Sequence, residues 1–166
     1  MTAQTQTQTD MDEPAIDTTV PNPGGVLPAR SRHDIAGLLR AHGVMPTHQR
    51  LEIAQVMLSR EQHLSADQVL ALVNALNAET SKATVYNTLK LFVEKRLVRE
   101  LIVDPNKVFY DSNTGDHHHF YNVVSGRLTD IPAESIRLPD LPTPPAGMVA
   151  DGVDIIIRTR PAPSAT

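Results

Sequence analysis

Apolar residues recur at the three-to-four-residue spacing of an amphipathic helix in four stretches between residues 31 and 95. Ser31 and Thr47 are suited to cap the first two predicted helices, and Gly43 is suited to end the first. Ser65 and Gln68 have the spacing of a capping box, which predicts the start of the third. The predicted helices cover 31–42, 47–59, 65–76 and 81–95. Their predicted inward positions are Ile35, Leu38 and Leu39; Leu51, Ala54, Met57 and Leu58; Val69, Leu72, Val73 and Leu76; and Val85, Leu89, Phe92 and Arg96.

Two short runs rich in β-branched and apolar residues follow at 97–103 and 108–111, and the Asp-Pro-Asn-Lys sequence between them is typical of a type I turn. Helices followed by a two-stranded hairpin form a winged helix-turn-helix. The wing is then expected to hold Arg99 and Lys107 near the phosphates of a nucleic acid.

The chain beyond residue 111 is predicted to be short and rich in strands. Runs at 119–124 and 127–131 flank Ser125-Gly126 as a second hairpin, and 153–158 is a last strand. Five prolines between 132 and 145 exclude a long helix there. A unit of about 50 residues makes a weak core by itself, so the apolar last strand predicts pairing with a second copy and hence a homodimer.

These elements predict an α+β fold: an N-terminal winged helix-turn-helix domain at 30–111, followed by a small α/β dimerisation domain at 117–160. Residues 1–29 are rich in Thr and Gln, then in Pro and Gly, with few large apolar side chains. Such a segment cannot bury enough surface to offset its ordering entropy, so a disordered leader is expected.

The formal net charge of −4 is unevenly distributed along the chain. Residues 30–110 hold eleven Lys or Arg against eight Asp or Glu, whereas 1–29 hold four acids and no Lys or Arg, and 111–166 hold four bases and seven acids. The cationic central block permits nucleic-acid binding there despite the acidic total.

Several classes of protein are disfavoured by what the sequence lacks. The apolar runs are too short to span a bilayer, and the N-terminus lacks the pattern of a signal peptide, so a cytoplasmic protein without a membrane partner is expected. The chain has no cysteine, which removes disulfides, thiolate zinc sites and thiol catalysis. No Gly-x-Ser-x-Gly nucleophile elbow is present, and we predict that the protein is not an enzyme.

The outward face of the fourth predicted helix carries Ala83, Tyr86, Asn87 and Lys90. A helix that enters a major groove needs a small residue for close approach, an amide for base edges, a cation for phosphate and an apolar contact for the thymine methyl. An ordinary solvated face, usually a mixture of Glu and Lys, is the alternative.

Three consecutive histidines, His117, His118 and His119, begin the predicted second hairpin. Alternate side chains of a strand point the same way, so His117 and His119 share one face and His118 lies on the other. A polar loop with solvated histidines is the plain alternative.

Two carboxylates are expected near the face of His119. If the turn is the two-residue Ser125-Gly126, Asp130 lies across from Tyr121 and diagonal to His119, and Asp111 is one short link away. Two imidazoles with two carboxylates favour Fe(II) or Mn(II) over a structural zinc ion. Because only neutral imidazole ligates, binding is expected to weaken below pH ~6.5.

The segments Gly-Val-Met-Pro-Thr-His-Gln-Arg at 43–50, His-Leu-Ser-Ala-Asp-Gln at 63–68 and Ala-Thr-Val-Tyr-Asn-Thr-Leu at 83–89 resemble three signatures of the ferric uptake regulator family. The resemblance covers roughly 40–158 and implies dimers that bind double-stranded DNA at A/T-rich inverted repeats. The DNA-binding residues it implies are Thr47, Arg50, Lys82, Ala83, Thr84, Tyr86, Asn87 and Lys90, with Tyr86 and Asn87 on the bases.

The regulatory metal site that the resemblance implies consists of His63, Asp111, His117, His119 and Asp130. Four of these are also the residues expected from strand geometry, whereas His63 comes from the resemblance alone. Because His63 lies between the second and third helices, its participation would tie the DNA-binding domain to the dimerisation domain.

The sequence also departs from the usual family pattern. Asn122 and Ser125 stand where the first Cys-x-x-Cys pair of a structural zinc site is usual, so no four-cysteine zinc site is expected. His118 replaces an aspartate and Gly152 a late histidine of a second family metal site.

The absence of cysteine, the histidine run followed by Phe-Tyr, and the short proline-interrupted C-terminal half are similar to the iron response regulator (Irr) branch. This similarity implies control of iron and haem genes, with haem interacting at His117, His118 and His119. Two other functions remain open: a manganese- or peroxide-sensing regulator that uses the same metal site, and a small metal- or haem-binding protein without specific DNA affinity.

Overall fold

The computed structural model describes residues 29–76, 79–137 and 141–162, so the predicted leader lies outside it except for residue 29. These residues form four α-helices and two three-stranded sheets, with one short strand of the first sheet between the second and third helices. The helices are α1 (Arg32–Ala41), α2 (His48–Leu58), α3 (Ala66–Ala75) and α4 (Lys82–Glu94). The strands are β1 (His63–Leu64), β2 (Arg99–Asp104), β3 (Lys107–Asp111), β4 (His117–Asn122), β5 (Leu128–Pro132) and β6 (Ile156–Thr159).

Local capping explains where the helices begin. Ser31 and Ser65 each accept a hydrogen bond from the backbone N–H three residues on, and the side chains of Asp34 and Gln68 accept one from the backbone N–H of the cap residue. The capping box predicted at Ser65 is therefore present, and a second one starts α1.

Two inward positions predicted for the helices are wrong because each lies beyond its helix. Helix α3 ends at Ala75, and Leu76, at its C-cap, is 54% exposed. Arg96 follows the end of α4 with a left-handed φ of +55° and is exposed. The helical spacing of the sequence extends to Leu76 and Arg96, but the helical backbone ends before both residues.

The buried faces of the helices form the larger hydrophobic core, which Leu97, Val98 and Tyr110 complete. Val85, Leu89 and Phe92 on α4 are fully buried. Burial of this face fixes the opposite face of α4 towards solvent.

The first sheet has the strand order β1-β3-β2 and is antiparallel. The hairpin of β2 and β3 was expected, but β1 was not. In this sheet β1 brings His63 opposite Asp111 of β3.

The two cations predicted to lie near phosphates on the wing instead contact the second half of the chain. The ammonium of Lys107 donates to the hydroxyl of Tyr121 over 3.0 Å. The guanidinium of Arg99 lies 3.4 Å from the carboxylate of Asp154. The phosphate contacts expected of these two side chains stay a prediction, and either side chain would have to exchange its present partner to make them.

The second sheet has the order β5-β4-β6, with β4 antiparallel to β5 and parallel to β6. His119 lies directly opposite Asp130, not diagonal to it, because the turn is longer than the two residues expected. The register differs by two residues, and an even shift keeps every side chain on its expected face.

The described part of the second half holds one helical turn, a 3₁₀ segment at Ala133–Ser135, so the α/β expectation is corrected there to a mainly β unit. Its last strand, β6, starts three residues later than expected. No helix among the described residues is long and apolar enough to cross a membrane.

A smaller hydrophobic cluster joins the two halves. Leu101, Val103 and Phe109 from the β2–β3 hairpin pack with Tyr121 and Leu128 from the second sheet. The hairpin thus has a buried side that faces the second half of the chain. This contact holds the two sheets together where the candidate site lies.

Candidate metal centre

The candidate site lies where the two sheets meet, and each of its side chains comes from a strand. Strand β1 supplies His63, the end of β3 supplies Asp111, β4 supplies His117 and His119, and β5 supplies Asp130. One potential ligand atom from each of His63, Asp111, His117 and His119 lies within 4.8 Å of all the others. The structure therefore brings together residues that are up to 67 positions apart in the chain.

The carboxylate of Asp111 is at the centre of this group. Its Oδ2 lies 2.9 Å from Nε2 of His117, 3.3 Å from Nε2 of His119 and 3.5 Å from Nε2 of His63. Oδ1 of Asp130 lies 3.0 Å from Nε2 of His63 and within 3.9 Å of the other two nitrogens. All three imidazoles thus direct Nε2 towards the two acids.

Neighbouring backbone groups fix the orientation of two of these side chains. Nδ1 of His117 donates to the carbonyl of Gly115 over 2.9 Å, which leaves Nε2 without a proton in the neutral ring. Oδ1 of Asp111 accepts from the N–H of Asn113 over 2.8 Å, which directs Oδ2 towards the histidines.

A third anchor holds the segment before β1. The hydroxyl of Ser112 donates to the carbonyl of Arg60 over 3.1 Å and accepts from the N–H of Gln62 over 2.9 Å. These bonds place His63 beside Asp111, although nothing in a two-residue strand would have indicated the pairing.

The group has the properties of a cation site. Asp111 and His119 are completely buried and His117 is 5% exposed. Nε2 of His63, Nε2 of His117 and Oδ1 of Asp130 are buried without a hydrogen bond of acceptable geometry, despite the short distances. A cation shared by these atoms would satisfy all of them, and the mixture of imidazole and carboxylate fits a divalent first-row metal.

Opposing effects act on the titration of the site. Burial lowers the pKa of His63, but the facing carboxylates of Asp111 and Asp130 outweigh it and raise the pKa to about 9. Burial also lowers the pKa of His117, but the carboxylate of Asp111 outweighs burial, and the pKa is raised. Burial raises the pKa of Asp111, yet the imidazoles of His117, His119 and His63 hold it well below its ordinary value.

The raised pKa of His63 changes the expected pH range of metal binding. At neutral pH, without a metal, this imidazole is protonated and must release its proton to become a ligand. Metal affinity should therefore keep rising with pH towards 9. The threshold near 6.5 predicted from an unperturbed histidine is too low.

The three histidines predicted to interact with haem do not share a face. The ring centroid of His119 lies 4.5 Å from that of His117 and 5.0 Å from that of His63, on the side of the acids. His118 alternates to the other face of β4, where its Nδ1 is buried without a hydrogen bond. The haem interaction expected of these three residues stays a prediction, and it would have to draw on both faces of β4.

The predicted DNA-contacting residues fall into two groups. Ala83, Tyr86, Asn87 and Lys90 are all exposed on the outward face of α4. Lys82, one turn before Tyr86, forms an ion pair with Asp67 over 2.8 Å and lies 5.5 Å from the ring of Tyr86.

Thr47, Arg50 and Thr84 already have local partners. Thr47 caps α2 by accepting from the N–H of Arg50, and the guanidinium of Arg50 donates to the carbonyl of Met45. The hydroxyl of Thr84 lies 2.9 Å from that of Ser81, the cap of α4. These three side chains support helix starts, whatever else they contact.

The raised pKa of His63 predicts a loss of stability at alkaline pH in the metal-free protein. A group whose pKa is raised by folding stabilises below its unfolded pKa, and this contribution disappears as pH rises through the folded value. The free energy of unfolding should fall by on the order of 3 kcal/mol between pH 6 and pH 9. Denaturant titration of metal-free protein at the two pH values measures this, with His63→Asn as the control whose stability changes less. An equal loss in both proteins would assign the effect to other groups.

Comparison with known proteins extends these observations. Residues 41–140 match the model of the ferric uptake regulator family. The peroxide-responsive repressor PerR of Staphylococcus epidermidis is 32% identical over 92 residues, which cover 55% of this chain and 61% of that repressor.

Solved structures support the same fold. The ferric uptake regulator of Pseudomonas aeruginosa with manganese superimposes with a TM-score of 0.56 at 24% identity, covering 75% of this chain and 96% of that one. The regulator from Vibrio cholerae gives a TM-score of 0.58 at 19% identity, over 75% and 98% of the two chains. At these identities the likeness concerns the fold alone. The family match spans more than half of the sequence, and the chain belongs to the ferric uptake regulator family.

Proposed function

We propose that this protein is a dimeric, sequence-specific DNA-binding transcription repressor controlled by Fe(II) or Mn(II) at His63, Asp111, His117, His119 and Asp130. The observation that carries the proposal is the buried convergence of these side chains from both halves of the chain. A bound divalent cation supplies the positive charge that the buried carboxylate of Asp111 and the partly buried carboxylate of Asp130 need once the imidazoles are neutral.

The residues around the site suggest how its state reaches the DNA-binding helix. His63 lies two residues before Ser65, which caps α3, and the buried faces of α3 and α4 share one core. A change in the position of His63 therefore acts on the start of α3 and, through the core, on α4. Small displacements of packed helices of this kind are a common way to reorient a binding surface.

Helix α4 is the proposed recognition helix. Its buried residues hold it in the core, while Tyr86 and Asn87 are free to reach base edges and Lys90 to reach a phosphate. The pairing of Lys82 with Asp67 leaves Lys90 as the better candidate for an unshared phosphate contact.

The second sheet is the proposed site of dimerisation. Strand β6 is at its edge, next to β4 only, among the described residues. Phe120 and Ile157 are register partners on its outward face and are 41% and 39% exposed. A twofold dimer presents two recognition helices, which fits an inverted-repeat operator.

Two substitutions on α4 distinguish base reading from phosphate binding. Tyr86→Ala should reduce the preference for an A/T-rich inverted repeat over a scrambled duplex by roughly 1–3 kcal/mol, because it removes a base contact. Lys90→Ala should weaken binding to both duplexes and lower the salt slope by about one unit, because it removes a phosphate contact. Fluorescence anisotropy across a salt series measures both. Equal weakening of the two duplexes by Tyr86→Ala would contradict its role.

A matched pair of substitutions on β4 tests the metal site. His119→Ala should weaken Mn(II) binding by more than about 100-fold, since even partners outside the ligand set usually change affinity by 10–100-fold. His118→Ala, next to it but on the other face, should leave the affinity unchanged. Calorimetric titration of metal-free protein at pH 7.5 or above, where less of His63 is protonated than at lower pH, measures both affinities. Similar losses in the two variants would indicate a general effect on the strand.

Peroxide sensing is a second candidate, favoured by the 32% identity to a peroxide-responsive repressor. The three histidines of the site are almost inaccessible from solvent, so oxidation directed to them would have to arise at the bound metal. Protein loaded with Fe(II) and treated with hydrogen peroxide should then gain an oxygen atom on His63 or His117, whereas the Mn(II) form should not. Peptide mass spectrometry locates the added oxygen. Iron-loaded protein that loses DNA binding without any modified histidine would rule this candidate out.

A further inference from the structure

Arg99 lies between two carboxylates without a hydrogen bond to either. Its Nη2 is 3.9 Å from Oδ2 of Asp111 and 3.4 Å from Oδ1 of Asp154. Both distances exceed the range of a good N–H···O bond, and this nitrogen is buried with no hydrogen-bond partner. Nη1 makes a long contact of 3.4 Å with the carbonyl of Gly115. The guanidinium therefore lies near both carboxylates without a close hydrogen bond to either.

The strand register explains this position. Asp111 on the central strand β3 has His63 opposite it on one side and Arg99 opposite it on the other. Asp154 belongs to the segment that leads into β6. Arg99 is thus in contact with a candidate metal ligand and with the approach to the proposed dimerisation strand.

We propose that Arg99 is a positioning residue that links the occupancy of the metal site to β6. In the metal-free protein it is shared by Asp111 and Asp154, and it moves fully to Asp154 when Asp111 engages a divalent cation. The inference rests on the metal-binding part of the proposed function and is independent of DNA binding.

The direction of the change follows from charge. The guanidinium is always protonated, so it cannot avoid a nearby cation by losing its own charge. When Asp111 binds a divalent cation, its carboxylate attracts Arg99 less and the cation repels it. Among the described residues, Asp154 is the remaining carboxylate that lies within 4 Å of Arg99, and a fork-shaped guanidinium can form two parallel bonds to it.

A second contact between β2 and β6 does not involve the metal ligands. The guanidinium of Arg158 on β6 donates to the carbonyl of Val103 on β2. Among the described residues, two polar contacts join β6 and its approach to β2, beside the packing of Ile156 on the smaller hydrophobic cluster. Of the two polar contacts, the Arg99–Asp154 pair is the one that adjoins the metal site. This arrangement provides a matched control.

The two partners of the link predict opposite changes in metal affinity. Arg99→Gln removes a positive charge beside the site, so Mn(II) should bind roughly two- to fivefold more tightly. Asp154→Asn leaves Arg99 with Asp111 alone, so Mn(II) should bind weaker by a similar factor. Loss of structure would weaken binding in both variants. Arg99→Lys retains the charge and should keep an affinity close to that of the unaltered protein.

Hydrogen exchange of the β6 amides, measured on the full chain with and without Mn(II), provides the second readout. Mn(II) should slow exchange at Ile156–Thr159 severalfold in the unaltered protein and not in Arg99→Gln or Asp154→Asn. Arg158→Gln should exchange faster in both states, yet retain the Mn(II) response and the Mn(II) affinity.

Each outcome supports or overturns a defined statement. Weaker Mn(II) binding by Arg99→Gln, or an intact β6 response in that variant, overturns the link while leaving the metal site standing. Failure of the unaltered protein to bind Mn(II) overturns the proposed metal site and the link with it. Because no DNA is present in either measurement, a failure of DNA recognition is detected separately.

Discussion

The buried carboxylate of Asp111 is the constraint around which the two halves are arranged. A charge without exposure to water must be paired, and here three imidazoles from two different strands pair with it. Strand β1 has to pair with β3 to bring His63, and β4 has to cross beside β3 to bring His117 and His119. The site can therefore form only when the two sheets are in contact.

The same carboxylate makes protons and metal ions competitors. Without a metal, the acids raise the pKa of His63 to about 9, so one imidazolium partly compensates the charge of the two carboxylates. In the proposed function a divalent cation replaces that proton. The metal-free and metal-bound forms then differ in the charge and the positions of side chains around a cluster that is already formed. Metal binding therefore requires no large ordering of the chain.

The β2–β3 hairpin is shaped as much by the second half as by the helices. Its apolar side enters the smaller hydrophobic cluster, and its cations Arg99 and Lys107 reach Asp154 and Tyr121. A change at the metal site can thus pass to the hairpin and to β6 through side chains already in contact. Recognition by α4 depends on the other core, which His63 reaches through the cap of α3.

Features that depend on residues close together in the chain could be predicted from the sequence. The caps at Ser31, Thr47 and Ser65 and the buried stripe of α4 depend on residues within a turn or two, and the alternation along β4 separated His118 from the other histidines before any register was known. The shared face of His119 and Asp130 survived an incorrect turn length, because a register error of two residues preserves the face.

Tertiary structure alone decided the rest. Strand β1 is too short to have a pattern and exists because it pairs with β3, so its part in the site could come only from family resemblance or from the fold. The orientation of the Arg99 side chain likewise depends on Asp154, which lies 55 positions away in the sequence. Hydrophobic periodicity and capping report energies of local contacts, whereas pairing between distant strands and the placement of buried charges depend on the whole chain.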